Sequence, residues 1–183
     1  LFRFGKTPIG GLIAGLEARF DGIGDAALLN LTTNRRGEWI TTHERYGFEF
    51  HTRHNVANFT EAQVRKRMSA HFRLLADKLL DALHDGEKIF VYRPLEPSPA
   101  SAGAGTDLLA AMHKHGSPVL LWVDLAKDPS QAGTVEWTIP GKLMTGYLDR
   151  FAPVRLAAFA SFEVWLQIIS AALAMKSGSE AGF

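Results

Sequence analysis

The 183-residue chain contains no cysteine, which excludes disulfides, thiolate zinc sites and iron–sulfur clusters. It also lacks an excess of charge of either sign: 20 Lys and Arg stand against 19 Asp and Glu, a formal net charge of +1. So weak a field gives no reason to expect a nucleic-acid partner or an anionic lipid surface. Long hydrophobic runs are missing. The stretch from Leu166 to Met175 is interrupted by Gln167 and Ser170 and falls well short of the roughly 20 residues that span a bilayer. No charged leader with an apolar signal core is present, and Leu1 to Phe4 already reads as the inside of a strand, so an upstream segment and a cytoplasmic location are expected.

What is present describes a folded α/β chain. Hydrophobic residues make up 46% and charged residues 21%, a globular balance. A chain of this size buries about 70% of its unfolded surface around one core. The expectation is a single domain over residues 1–175, a central mixed sheet with helices packed on it, followed by a flexible tail over 176–183.

Thr7-Pro8 offers an N-cap and a first-turn proline, and Ile9, Leu12, Ile13, Leu16 and Phe20 then repeat at helical spacing. Gly10, Gly11 and Gly15 weaken that helix unless a neighbouring backbone packs closely against it. Leu28 to Thr32, Glu38 to Thr42 and Tyr46 to His51 read as strands, the first two joined by a turn at Asn34 to Gly37. Alternation of Tyr46, Phe48 and Phe50 with Gly47 and Glu49 marks one buried face and turns His51 away from it. Thr60 with Gln63 forms a capping box ahead of a helix whose stripe is Val64, Met68, Phe72, Leu75, Leu79 and Leu83, stopped by Gly86. Arg65, Arg67 and Arg73 lie mostly off that stripe, as a solvated or docking face would. Lys88 to Tyr92, a helix over Asp107 to His115, and Pro118 to Val123 suggest a parallel crossover. Val135 to Ile139 is a further strand, and Ser161 caps a final helix.

Candidate chemistry gathers at strand ends. His51, followed by Thr52, Arg53 and His54, ends a strand where a histidine can act as a general base; Arg53 and His54 are candidate ligand contacts beside it. His51, His54 and His43 raise the question of a metal, but no second ligand pair or HExxH pattern accompanies them, and no metal is expected. Arg93 and Asp124 each follow a strand of the proposed parallel pair, which places both at the carboxyl edge where open α/β sheets bind ligands. Arg93 suits a carboxylate or phosphate, and Asp124 a histidine ring or a sugar hydroxyl; a structural Arg–Asp pair is the competing interpretation. Gly103 to Thr106 outlines a phosphate cradle without the Walker lysine, and no GxSxG, SxxK or kinase motif occurs, so no cofactor is expected. Trp137, Tyr147, Phe151, Phe159, Phe162 and Trp165 read as core aromatics.

Leu1-Phe2-Arg3-Phe4, Tyr46 to His51, the basic helix from Arg65, Lys88 to Arg93 and Leu121 to Asp124 together resemble a bacterial family of papain-like cysteine peptidases often found near glycosyltransferase regions. The resemblance covers most of residues 1–124. It implies His51 as base, Arg93 as the arginine closing the next strand, and Asp124 as the group that orients the histidine, with the nucleophilic cysteine ahead of Leu1. Without a cysteine this chain is expected to be inert as a thiol hydrolase or transferase. Alternatives are a noncatalytic module for a glycan, a sugar phosphate or a peptide, and a protein-interaction domain.

Overall fold

The computed structural model describes residues 5–94, 103–151 and 161–180. The α/β class expected from the sequence is the one adopted, with the strands shared between two four-stranded sheets. These belong to two compact units, Leu1–His84 and Asp85–Phe183. The boundary falls at the end of a helix, not in a Pro- or Gly-rich linker, so composition carries no trace of it.

The sheet of the first unit is antiparallel, in the order β1 (Gly5–Lys6), β4 (Glu49–Asn55), β3 (Glu38–His43), β2 (Leu29–Thr33). The β2–β3 hairpin closes as its turn chemistry demands. Asn34 Oδ1 accepts from the backbone N–H of Arg36 and Glu38, and Gly37 takes the left-handed φ of +72° that a side chain would resist. Helix α1 (Ile9–Glu17) starts one residue later than the Thr7 cap implies, with Pro8 in the N-cap position. Its glycines are spent on close approach. A methyl at Gly11 would run into the carbonyl of Tyr46, and one at Gly15 into the ring of Phe20, whereas Gly10 faces open space.

Helix α2 (Glu61–Asp85) begins with the reciprocal capping box: Thr60 N–H donates to Gln63 Oε1 at 2.9 Å and Gln63 N–H to Thr60 Oγ1 at 3.4 Å. All six residues of its expected stripe are buried, and Phe72 meets Phe50 edge-on at 5.1 Å, seating the helix on the sheet. Gly86, with φ +70°, follows its last turn. The arginines off the stripe do more than meet solvent. Arg65 donates to the carbonyls of Ala26 and Leu29 and pairs with Glu61, Arg73 donates to Gly24, and Arg67 lies over the Phe59 ring at 4.7 Å. Arg65 and Arg73 hold the irregular segment that leads into β2, and Arg67 covers the turn just ahead of α2.

The mixed sheet of the second unit runs β5 (Ile89–Tyr92), β6 (Val119–Leu125), β8 (Leu143–Leu148), β7 (Val135–Ile139). β5, β6 and β8 are parallel, and β7 is antiparallel at the edge. The crossover helix α3 (Ala104–Met112) lies against Trp122, and a Cβ at Gly105 would stand 3.2 Å from that ring. The opposite face, with Val119, Leu121, Val123 and Met144, is covered by Ile168 and Ala172 of α4 (Phe162–Glu180). α4 continues past Lys176, where the sequence suggests the tail begins. Trp137, Phe151 and Trp165 pack against this core as expected; Phe162 is exposed, and Phe159 lies outside the described residues. Among the described residues no helix is long and apolar enough to cross a membrane.

The contact of Gly11 with a backbone carbonyl leaves no side chain to yield. Gly11→Ala should therefore cost the first unit about 3 kcal/mol, the upper range for overpacking, while Gly10→Ala at the open position should stabilise α1 by up to about 1 kcal/mol. Urea titration of the two variants against wild type measures both.

Candidate functional site

β4 extends to Asn55, so His51 sits within the strand and not at its end. The cause lies in the pairing. The β3–β4 register shifts between Glu38 and Ile40, and Arg53 absorbs the irregularity with φ +59°, uncommon for a residue with a side chain. His51 falls opposite Ile40 and, as its parity predicts, is exposed while Phe50 and Thr52 are buried.

Glu38 reaches His51 across the β3–β4 pair. Its Oε2 lies 3.3 Å from His51 Nδ1 and accepts from Asn34 Nδ2 at 2.9 Å, and its Oε1 accepts from the Arg53 backbone N–H at 3.0 Å. Burial acts to raise the Glu38 pKa, but the bonds from His51, Arg53 and Asn34 outweigh it and hold the carboxyl below its ordinary value. A carboxylate on Nδ1 fixes the ring and leaves Nε2 to exchange protons with a reactant. The carboxylate beside the ring in this unit is Glu38, a residue with no role assigned from the sequence. His54, the other candidate contact on this strand, packs on Phe59 with ring centroids 4.3 Å apart.

Arg93 and Asp124 belong to the second unit. β6 runs to Leu125, so Asp124 is inside the strand, where its Oδ1 accepts from the Leu125 N–H at 2.8 Å. Tyr92 pairs with Trp122 in the parallel register and stacks on it. Alternation therefore puts Asp124 on the Trp122 face and Arg93 on the other, where its guanidinium lies 4.8 Å from the centre of Phe151. The two do not form the structural pair. Asp124 instead neighbours Tyr147, its partner in β8. Burial, the hydrogen bond to Glu136 and the negative charges of Glu136 and Asp124 push the Tyr147 phenol up to about 12.

Arg93 is the electrostatic exception of the second unit. It is half-buried, its Nη1 is shut off from solvent, and among the described residues that nitrogen has no hydrogen-bond partner. Burial lowers its pKa from the ordinary arginine value, with Tyr92 opposing. The Gly103–Thr106 outline is no free cradle, because α3 starts at Ala104 and Gly105 is used against Trp122. Among the described residues no group of three His, Cys, Asp or Glu is placed to hold a metal.

Phe151 and Glu38 are the site residues that sequence reasoning did not assign. Glu38 follows an Asn-rich turn at the start of a strand, a position that signals a turn and not a site. No protein-family model, curated protein or solved structure matches the chain.

His43, the third histidine of the metal question, is a core residue. It is fully buried, stacked on Tyr46 at 5.0 Å, with Nε2 3.3 Å from the Gly22 carbonyl and Nδ1 without a hydrogen-bond partner among the described residues. Burial lowers its pKa from 6.5, helped by Arg45 and opposed by the Gly22 carbonyl, Asp25 and Glu44. The unfolded chain therefore binds this proton more readily. Stability should be full above the unfolded value of 6.5 and fall as the pH drops from there through the folded value. Melting temperatures measured from neutral pH downward should show this fall in wild type and a smaller one in His43→Gln.

Proposed function

We propose that the second unit is a noncatalytic binding module for a small anionic ligand of the sugar-phosphate class, anchored by Arg93. The observation that carries this reading is the half-buried guanidinium with a sequestered Nη1 and no hydrogen-bond partner for that nitrogen among the described residues. Removing a cation from water without a counter-charge is unfavourable, and a bidentate phosphate would offset that cost. Phe151 backs the guanidinium plane, which leaves the edge with its N–H donors for the ligand. The position just after β5, at the carboxyl end of a parallel strand pair, supports the same use.

Calorimetry with glucose 1-phosphate, glucose and inorganic phosphate tests it. The phosphate-bearing ligands should bind saturably and glucose should not. Arg93→Ala should weaken binding at least about tenfold, and Arg93→Lys, a point charge without the fork, by less. No heat from a folded sample, or equal affinity in Arg93→Ala, would end this reading.

A second reading, thiol hydrolase or transferase chemistry of the papain-like kind, is favoured by the contact of Glu38 with His51. Nε2 of His51 would take the proton of a thiol as its sulfur attacks the carbonyl carbon of an ester, and pass it to the departing alkoxide as the C–O bond breaks and a thioester forms. With no cysteine among the 183 residues, the thiol must come from elsewhere. Given an activated ester and an added small thiol, wild type should outpace His51→Gln by at least about tenfold. Equal rates exclude this role for His51.

A further inference from the structure

The segment between α1 and β2 runs beside α2 in the first unit and leaves an open cleft of about 530 Å³, lined among others by Arg19, Gly24, Asp25, Ser69, Arg73 and Asp77. That volume lies within the range of small-ligand sites. The Ser69 hydroxyl and the Arg73 guanidinium both donate to the Gly24 carbonyl. Gly24 lies close beneath them: a Cβ there would stand 2.7 Å from Arg73 Nε, so a side chain would push the guanidinium aside. The cleft wall is thus tied to the helix by the same side chains that give it polarity.

Four ionised side chains of both signs line this one cleft, and no ion pair joins any two of them among the described residues. Arg73 and Asp77 stand one turn apart on α2, a spacing of about 5–6 Å between β-carbons that brings side chains within reach of each other. Arg73 turns to Gly24 instead, and among the described residues no cation pairs with the Asp77 carboxylate. Asp25 is partly satisfied, accepting from the Ala27 N–H at 2.8 Å. A simple anion entering here would meet Asp25 and Asp77, and a simple cation would meet Arg19 and Arg73. A ligand carrying both charges a few ångströms apart avoids both conflicts.

We propose that this cleft binds a free α-amino acid, its carboxylate on Arg73 and its ammonium on Asp77. The site is open to water, so screening holds the affinity to the millimolar range.

Titration with L-alanine, followed by the amide NMR signals of Gly22 and Gly24, tests the proposal. The shifts should saturate, while N-acetyl-L-alanine and L-alanine methyl ester, each lacking one of the two charges, should bind at least about tenfold more weakly. Asp77 is exposed and takes part in no hydrogen bond or ion pair among the described residues. Asp77→Asn should therefore lose affinity by a similar factor with an unchanged melting temperature, and Arg73→Gln should lose it as well. Binding of N-acetyl-L-alanine as tight as that of L-alanine would make this an anion site and overturn the proposal. Wild-type affinity in Asp77→Asn, or a linear response with no saturation, would do so too.

Discussion

Strand alternation decides which of the chain's polar groups can act together. Because successive side chains point to opposite faces, one residue of offset places Arg93 on the Phe151 face and Asp124 on the Trp122 face, although the strands that carry them are direct neighbours. The other constellation lies across a strand pair of the first unit. Beside the irregularity between Glu38 and Ile40, one carboxylate collects a histidine ring, an asparagine amide and a backbone N–H.

The cations of the chain divide by what they touch. On α2, Arg65 and Arg73 donate to backbone carbonyls, and Arg67 covers an aromatic ring. A helix face that reads as solvated is therefore partly mortar, holding a segment with no ladder of its own. Such contacts also fix the walls of the cleft beside α2. Arg93 has an aromatic neighbour, and among the described residues no carbonyl or carboxylate satisfies its sequestered Nη1. It differs in that from the arginines of α2.

Local chemistry was legible in the sequence wherever a few adjacent residues settle the geometry. The Thr60–Gln63 box, the Asn34–Gly37 turn, the Gly86 stop and the strand Val135–Ile139 all form as their residues dictate. β8 gave no such signal. Its burial alternates from Met144 to Leu148, but the middle buried position is Gly146, which looks like a strand breaker and is required by Ile168 at 2.7 Å from where a Cβ would stand. Glu38 was invisible as a site residue for a related reason: its contacts with His51 and Arg53 come from the partner strand, and no local pattern fixes which residues of another strand it will face. The division into two sheets was hidden because a capped helix, and not a loose linker, ends the first unit.

Among the described residues β5 has one neighbouring strand. A strand rim can template the addition of a foreign strand, and Val91, 45% exposed, adds an adhesive apolar patch there. The strand is only four residues long, and Lys88 and Pro94 bracket it. A charge before the rim and an imino acid after it shorten the template below the length at which intermolecular β-stacking becomes self-sustaining.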